Sequence, residues 1–234
     1  MYNLMKLELR KTRIHPYIWA SAIIALCMLG MLYTFSAVSH MGSEADAIEF
    51  SSYYNIMVLT NALMMVSFSV LAAVMLTTFV IKDYSGKNAI LLFSYPLERK
   101  TLLLSKVFLV SAFTVISLLL STIAIYVVWG LTESFFPLVD DSFSISLIAN
   151  AARDTLCMAV ISIAISLIAL NIGFRKKSIS TTIVSAVIIC TIPANLVVAG
   201  TSSVIIIVAL TLVLAIAGLF SLLALVKNVS MIEV

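Results

Sequence analysis

The stretch "IMVLTNALMMVSFSVLAAVMLTTFVI", residues 56 to 81, contains no charged side chain. An α-helix rises about 1.5 Å per residue, so about 20 apolar residues cross the roughly 30 Å hydrocarbon core of a bilayer. Residues 56 to 81 are therefore long enough to cross a membrane as one helix.

The whole chain has the same character. Of its 234 residues, 62% are hydrophobic and 11% are charged, whereas a soluble domain has about 45 to 50% apolar and about 25% charged residues. This composition excludes a water-soluble globular protein. We predict an all-α membrane protein, a single membrane domain over residues 1–234, with six uncharged spans at about 17–38, 56–81, 107–131, 155–174, 179–199 and 203–226.

The basic residues set the predicted orientation. They precede the first span, lie between spans two and three and between spans four and five, and follow span six: Lys6, Arg10, Lys11, Arg13, Lys82, Lys87, Arg99, Lys100, Lys106, Arg175, Lys176, Lys177 and Lys227. The opposite side has Arg153 and the acidic residues Glu44, Asp46, Glu49, Glu133, Asp140 and Asp141. Lys and Arg concentrate in cytoplasmic loops, so both termini are predicted to be cytoplasmic. Since topology explains the basic residues, we predict no nucleic-acid partner.

Two segments outside the spans leave alternatives open. Residues 1–15 place Lys6, Arg10 and Arg13 on one helical face, which predicts an amphipathic helix on the inner membrane surface; a basic tail that only sets topology is the alternative. The acidic outer connections are either plain solvated loops or a means of attracting or expelling a cationic substrate.

No recognisable catalytic or cofactor chemistry is present in the sequence. The spans contain no carboxylate or histidine, and His15 and His40 are predicted on opposite sides, so we expect no metal site and no enzyme. The fragment "SGKN" lacks the first Gly and the final Ser or Thr of a phosphate-binding loop. The chain itself is therefore expected to bind no nucleotide.

Several neutral polar residues fall inside the spans. Helix packing is the simpler interpretation, and lining a substrate pathway is the alternative, for Asn61, Ser67, Asn171 and Asn195. Pro193 predicts a kink in the fifth span, where Asn195 could satisfy the backbone groups that the proline frees.

The most polar long segment is "KDYSGKNAILLFSYPLERKTLLLSK", residues 82 to 106, between spans two and three. Residues 89–97 could form a short helix with an apolar side of Leu91, Leu92 and Phe93. Such a segment either docks on a soluble partner or lies among lipid headgroups.

This segment resembles the first inner loop of ABC-2 type permeases, the six-span membrane subunits of ATP-binding-cassette exporters. The resemblance rests on an acidic residue before a Gly, a Leu pair, a Pro, an Arg three residues later and a Lys seven further on: Asp83, Gly86, Leu91, Leu92, Pro96, Arg99 and Lys106. Lys87 departs from the Thr that many members have. The resemblance implies a separate ATPase subunit that binds ATP and Mg²⁺, and a second permease. It also implies polar contacts to that ATPase from Asp83, Arg99 and Lys100, with Leu91, Leu92, Phe93 and Tyr95 filling its pocket.

From this resemblance we expect a permease of a bacterial plasma membrane that exports an amphipathic or hydrophobic compound, such as an antimicrobial peptide or a drug. The alternatives are a non-transporting scaffold or immunity protein that binds a partner through residues 82–106, and a passive channel.

Overall fold

A computed structural model describes residues 14–41, 52–81, 99–135, 145–176, 178–199 and 204–230. These residues form six long helices and contain no strand: α1 His15–Met41, α2 Tyr53–Leu76, α3 Arg99–Phe135, α4 Ile145–Lys176, α5 Ile179–Ala199 and α6 Val204–Ser230. A π-helical turn, Thr77–Ile81, continues α2. All six helices are long and apolar enough to cross a membrane, which confirms the predicted all-α, six-span fold class.

Helices α2 and α4 form the centre of the bundle. Helix α2 packs against α1, α3, α4 and α5, and α4 packs against α2, α3, α5 and α6. By contrast, few residues of α1, α5 and α6 are buried inside the bundle. In a bilayer their exposed side chains face lipid tails. The difference in burial between the central and the outer helices therefore reflects how the helices pack and not the exclusion of apolar side chains from water.

Successive helices run in opposite directions, which gives the bundle two chemically different ends. The basic end contains the C-termini of α2, α4 and α6 and the exposed side chains of Lys100, Arg175, Lys176 and Lys227. The acidic end contains Glu133 near the end of α3 and Asp154 in the first half of α4.

Small residues allow α4 and α6 to approach closely. A Cβ added to Gly218 on α6 would lie 2.9 Å from Cα of Ala164 on α4, which is too close for a larger residue. In addition, Ser221 Oγ donates a hydrogen bond of 3.2 Å to the Leu167 carbonyl across the same pair. Ser162 and Ser166 are buried on α4.

Helices α3 and α4 extend well beyond the predicted spans of 107–131 and 155–174, because helical structure continues past the uncharged segments. As a result, Lys106, Glu133 and Asp154 lie within helices and are buried, with 3%, 4% and 1% of their surface exposed. The placement of Glu133 in an outer connection was therefore wrong.

Other predicted features lie outside the described residues. They include most of the interfacial helix of residues 1–15, the possible short helix of 89–97, the acidic residues Glu44, Asp46, Glu49, Asp140 and Asp141, and the predicted coupling residues Asp83, Gly86, Leu91, Leu92, Phe93, Tyr95 and Pro96.

Candidate functional site

The segment predicted to dock on a partner begins at the basic end, directly after a π-helical turn. This turn, Thr77–Ile81, has Phe79, Val80 and Ile81 buried. The ring of Phe79 packs edge-on against Tyr17 of α1, with ring centroids 5.6 Å apart. Single π-helical turns disturb the regular backbone hydrogen bonding and are frequent at functional sites. The N-terminal base of the segment is thus fixed against the bundle.

Lys106 lies beside this turn, on α3. Its Nζ donates a hydrogen bond of 3.1 Å to the Phe79 carbonyl, although only 3% of the residue is exposed. The last carbonyls of a helix lack intrahelical donors and carry partial negative charge, so an ammonium group is a suitable partner. The sequence identified Lys106 as a motif residue; it did not indicate the burial or this contact.

At the other base of the segment, Arg99 is the first residue of α3, and the Lys100 side chain is exposed. Arg175 and Lys176 are exposed at the end of α4. The described cations around the segment could therefore meet an acidic surface of a soluble partner.

A buried polar cluster, which the sequence did not reveal, lies at the acidic end. The Tyr53 hydroxyl, on the first residue of α2, donates a hydrogen bond of 2.9 Å to Glu133 Oε1. The Tyr53 ring packs edge-on against Trp129, with ring centroids 5.4 Å apart. These contacts join the beginning of α2 to the end of α3.

The neighbouring tyrosine makes the corresponding contact to α4. The Tyr54 hydroxyl donates a hydrogen bond of 3.3 Å to Asp154 Oδ2. Arg153 donates to Asp154 Oδ1 from Nε at 2.9 Å and from Nη2 at 2.8 Å. The guanidinium compensates the charge of the buried carboxylate, as buried ionic groups require.

Two further tyrosine hydroxyls bind across helices in the same half of the bundle. Tyr33 of α1 and Thr132 of α3 share a hydrogen bond of 2.8 Å, and Tyr126 of α3 donates to the Met57 carbonyl of α2 at 3.2 Å. Adjacent tyrosines at positions 53 and 54, with carboxylates just beyond two predicted span ends, were the sequence signal that could have suggested this cluster.

The four residues suggested for a pathway are not brought together. Asn61 is 1% exposed, and its Oδ1 lies 3.4 Å from Thr155 Oγ1 of α4. Asn171 lies farther along the same helix, about 24 Å from Thr155 by helical rise. Ser67 is half-buried on α2, and Asn195 is exposed on α5.

Asn61 and Asn171 nevertheless retain unused hydrogen-bonding groups. Among the described residues, Asn61 Nδ2 and Asn171 Oδ1 are buried and have no hydrogen-bond partner. Because an unpaired buried amide group is costly, each is a site where a water or a substrate group would be favourable.

Pro193 lies inside α5 and is buried. A proline removes the donor for the carbonyl four residues earlier, which is that of Ile189. Asn195 Nδ2 donates instead to the Thr191 carbonyl, at 2.7 Å. Asn195 therefore satisfies a backbone group near the proline, but not the one that the proline itself leaves without a donor.

An apolar cleft of about 440 Å³ lies between α2, α3 and α4, towards the acidic end. Three hydroxyls line the cleft, and each donates a hydrogen bond to a backbone carbonyl: Thr122 to that of Leu118, Tyr126 to that of Met57 and Thr155 to that of Ala151. The remaining lining is aliphatic, so the cleft suits an apolar group.

The part of the chain that the structure describes has no group of three or more His, Cys, Asp or Glu side chains that could hold a metal ion. The buried carboxylates of the acidic end are engaged by tyrosine hydroxyls and by arginine. The described helices thus provide packing, hydrogen bonding and an apolar cleft.

The sequence of the chain is similar to those of known proteins. Residues 4–193 match the family described as "ABC-2 family transporter protein". The chain is also similar to "Uncharacterized protein YcbO" of Bacillus subtilis (strain 168), with 27% identity over 187 residues, covering 80% of this chain and 81% of that protein. No solved structure matches the chain.

The family match covers most of the chain, including all of α1 to α4 and the first 15 of the 21 residues of α5. Members of this family are membrane components of ABC transporters, which implies an ABC ATPase as partner. The six apolar helices and the family match lead to one conclusion: the chain belongs to the ABC-2 family of transporter membrane proteins.

Proposed function

We propose that this chain is the permease subunit of an ABC exporter that moves an amphipathic or hydrophobic compound, such as a peptide or a drug, across a bacterial plasma membrane. A separate ATPase subunit, which binds ATP and Mg²⁺, docks on residues 82–106 at the cytoplasmic face. A second permease, identical or different, completes the membrane part.

The anchoring of the residues on either side of the 82–98 segment is the observation that carries this proposal. Ile81, just before the segment, ends the π-helical turn that continues α2, and Arg99, just after it, begins α3. Lys106 of α3 donates a hydrogen bond to the Phe79 carbonyl in that turn. Helix α2 contacts four of the other helices. A force applied to the segment would therefore reach the centre of the bundle. Exposed Lys100, Arg175 and Lys176 supply charge for a soluble partner at the same end.

The apolar cleft supports a hydrophobic cargo. Its aliphatic lining opens beside Ile123, Val127 and Leu156, whose side chains are exposed on the lipid-facing surface. Its hydroxyls already bond carbonyls, so a cargo would gain mainly apolar contacts there. A sugar or an ion would leave its own polar groups unsatisfied in this cleft.

Co-purification tests the proposal. The wild-type chain is expected to bring down an ATPase and to raise its rate of ATP hydrolysis. Replacing both Leu91 and Leu92 with Asp should abolish this association, because charged groups would enter an apolar pocket, while membrane insertion continues. The matched control replaces Leu138 and Val139 with Asp, in the connection between α3 and α4 at the opposite end, and should retain the ATPase.

The same experiment separates the scaffold alternative, and a conductance measurement separates the channel. A scaffold or immunity protein would bind a partner through the 82–106 segment without changing ATP hydrolysis. A passive channel would conduct without ATP. If the Leu91 and Leu92 variant retained the ATPase as fully as the control, the docking surface would lie elsewhere.

A further inference from the structure

We propose that Lys106 is a positioning residue that joins α3 to the π-helical turn after α2, so that a displacement of the 82–98 segment moves both helices together. This inference rests on the proposed function, since it concerns how an ATPase-driven movement enters the bundle.

The burial of Lys106 requires an explanation. A lysine ammonium is costly to bury among apolar side chains unless it reaches water or a partner. Lys106 lies on the part of α3 whose buried residues Leu103, Val107 and Val110 belong to an apolar cluster that also contains Phe79. Methionine would fill a similar volume without that cost, so packing alone does not account for a lysine here.

The hydrogen bond has a specific place in the chain. Lys106 lies seven residues after Arg99, about 10 Å along α3, and Phe79 lies two residues before Ile81. The contact between Nζ and the Phe79 carbonyl, 3.1 Å long, therefore joins the π-helical turn that precedes the 82–98 segment to the beginning of α3, which follows it.

The acceptor belongs to the π-helical turn. A single π-helical turn breaks the regular pattern of backbone hydrogen bonds, so a side-chain donor has more effect there than along a regular helix. The Phe79 ring is held by Tyr17 of α1 at a centroid distance of 5.6 Å. Through this turn, Lys106 links α3 to a part of α2 that also contacts α1.

Loss of the contact should separate binding from coupling. The predicted docking residues precede Lys106 and would keep their contacts to the ATPase. Both helices would still be joined to the segment through the backbone, but the π-helical turn after α2 and the beginning of α3 would no longer be held to each other and would not move as one unit. We expect normal ATPase association together with loss of coupled turnover.

The test uses the full chain in lipid nanodiscs with the ATPase that co-purifies with the wild type. In Lys106→Met, hydrolysis stimulated by the permease should fall by about tenfold or more, as loss of a charge-assisted hydrogen bond implies, while association is unchanged. Lys106→Arg retains a cationic donor and should restore much of the stimulation. The control is Ser105→Ala, because the buried Ser105 hydroxyl bonds Leu102 within α3 only.

Hydrogen exchange of residues 77–81 provides a readout without the ATPase. Amides of this turn should exchange faster in Lys106→Met than in the wild type, Lys106→Arg or Ser105→Ala. If Lys106→Met does not fold, Lys106→Gln, which retains a neutral donor, takes its place and should show a smaller change in the same direction.

Three outcomes would count against the inference. Normal coupling in Lys106→Met, with a coupled wild type, overturns it and leaves the proposed function intact. Parallel loss of association and coupling, without rescue by arginine, shows a merely structural role and also overturns it. A wild-type chain that neither binds nor stimulates an ATPase overturns the proposed function and this inference with it.

Discussion

The hydroxyl of Tyr53, at the start of α2, donates a hydrogen bond of 2.9 Å to Oε1 of Glu133, in the last turn of α3. Glu133 is 4% exposed, so its carboxylate depends on hydrogen bonds within the protein. One residue later, Tyr54 bonds Asp154 of α4. Two adjacent tyrosines thus hold the beginning of α2 against two neighbouring helices.

Replacing Tyr53 with Phe should therefore destabilise the bundle. The ring can still pack against Trp129, but a donor to a buried carboxylate is lost, at a cost of about 1.5 to 3 kcal/mol. Unfolding by sodium dodecyl sulfate measures this loss. Tyr33→Phe is the matched control, because its neutral bond to Thr132 should cost only about 0.5 to 1.5 kcal/mol. Equal effects of the two variants would contradict a special role for the carboxylate.

The close approach of α4 and α6 makes a second prediction. Gly218→Ala would place a methyl group 2.9 Å from Cα of Ala164 and should lower the free energy of unfolding by about 1 to 3 kcal/mol through overpacking. The control is Gly30→Ala, since nothing lies within 4 Å of a Cβ added at Gly30. Detergent melting temperatures compare them, and equal melting temperatures for both variants would show that α6 can move away without cost.

The sequence predicts where the helices lie along the chain, but it does not predict how they pack. Uncharged segments identify the six spans, because crossing a membrane demands a long apolar helix whatever its partners are. Which helices lie at the centre depends on pairwise packing, and α2 and α5 are similarly apolar in sequence although α2 is far more buried.

The buried ionisable residues were missed for a related physical reason. Hydropathy ends a span at the first charged residue, so Lys106, Glu133 and Asp154 fall just outside the predicted limits. Each is buried with a hydrogen-bonding partner from another helix: a backbone carbonyl for Lys106 and a tyrosine hydroxyl for Glu133 and for Asp154. Asp154 also accepts hydrogen bonds from the arginine that precedes it. The partners from other helices lie far apart in sequence, so spacing along the chain does not reveal them.

The apolar cleft gives a third prediction, which concerns the cargo. Ala152 lines the cleft, and Ala152→Trp should fill it and remove most of the saturable binding of a lipophilic dye such as Nile red. Ala124→Trp is the control, because Ala124 is exposed on α3 and does not belong to the lining. Dye fluorescence in nanodiscs measures both; equal binding by the two variants would place the hydrophobic substrate elsewhere.

The orientation of the chain can be tested by cysteine labelling. In a background without Cys27, Cys157 and Cys190, an impermeant maleimide should label Ser142→Cys in intact cells. Ser85→Cys should react only after the cells are permeabilised, because the basic residues around it favour the cytoplasm. The reverse pattern would place the 82–106 segment outside the cell and exclude an ATPase partner there.

Site-specific photocrosslinking tests most directly whether an ATPase binds the segment between α2 and α3. A benzoylphenylalanine introduced at Phe93 should crosslink to an ATPase in cell membranes. The same group at Phe135, an exposed residue at the acidic end, should not. A crosslinked ATPase from position 93 alone is the predicted result, whereas an ATPase crosslinked from neither position, or only from position 135, would contradict the account.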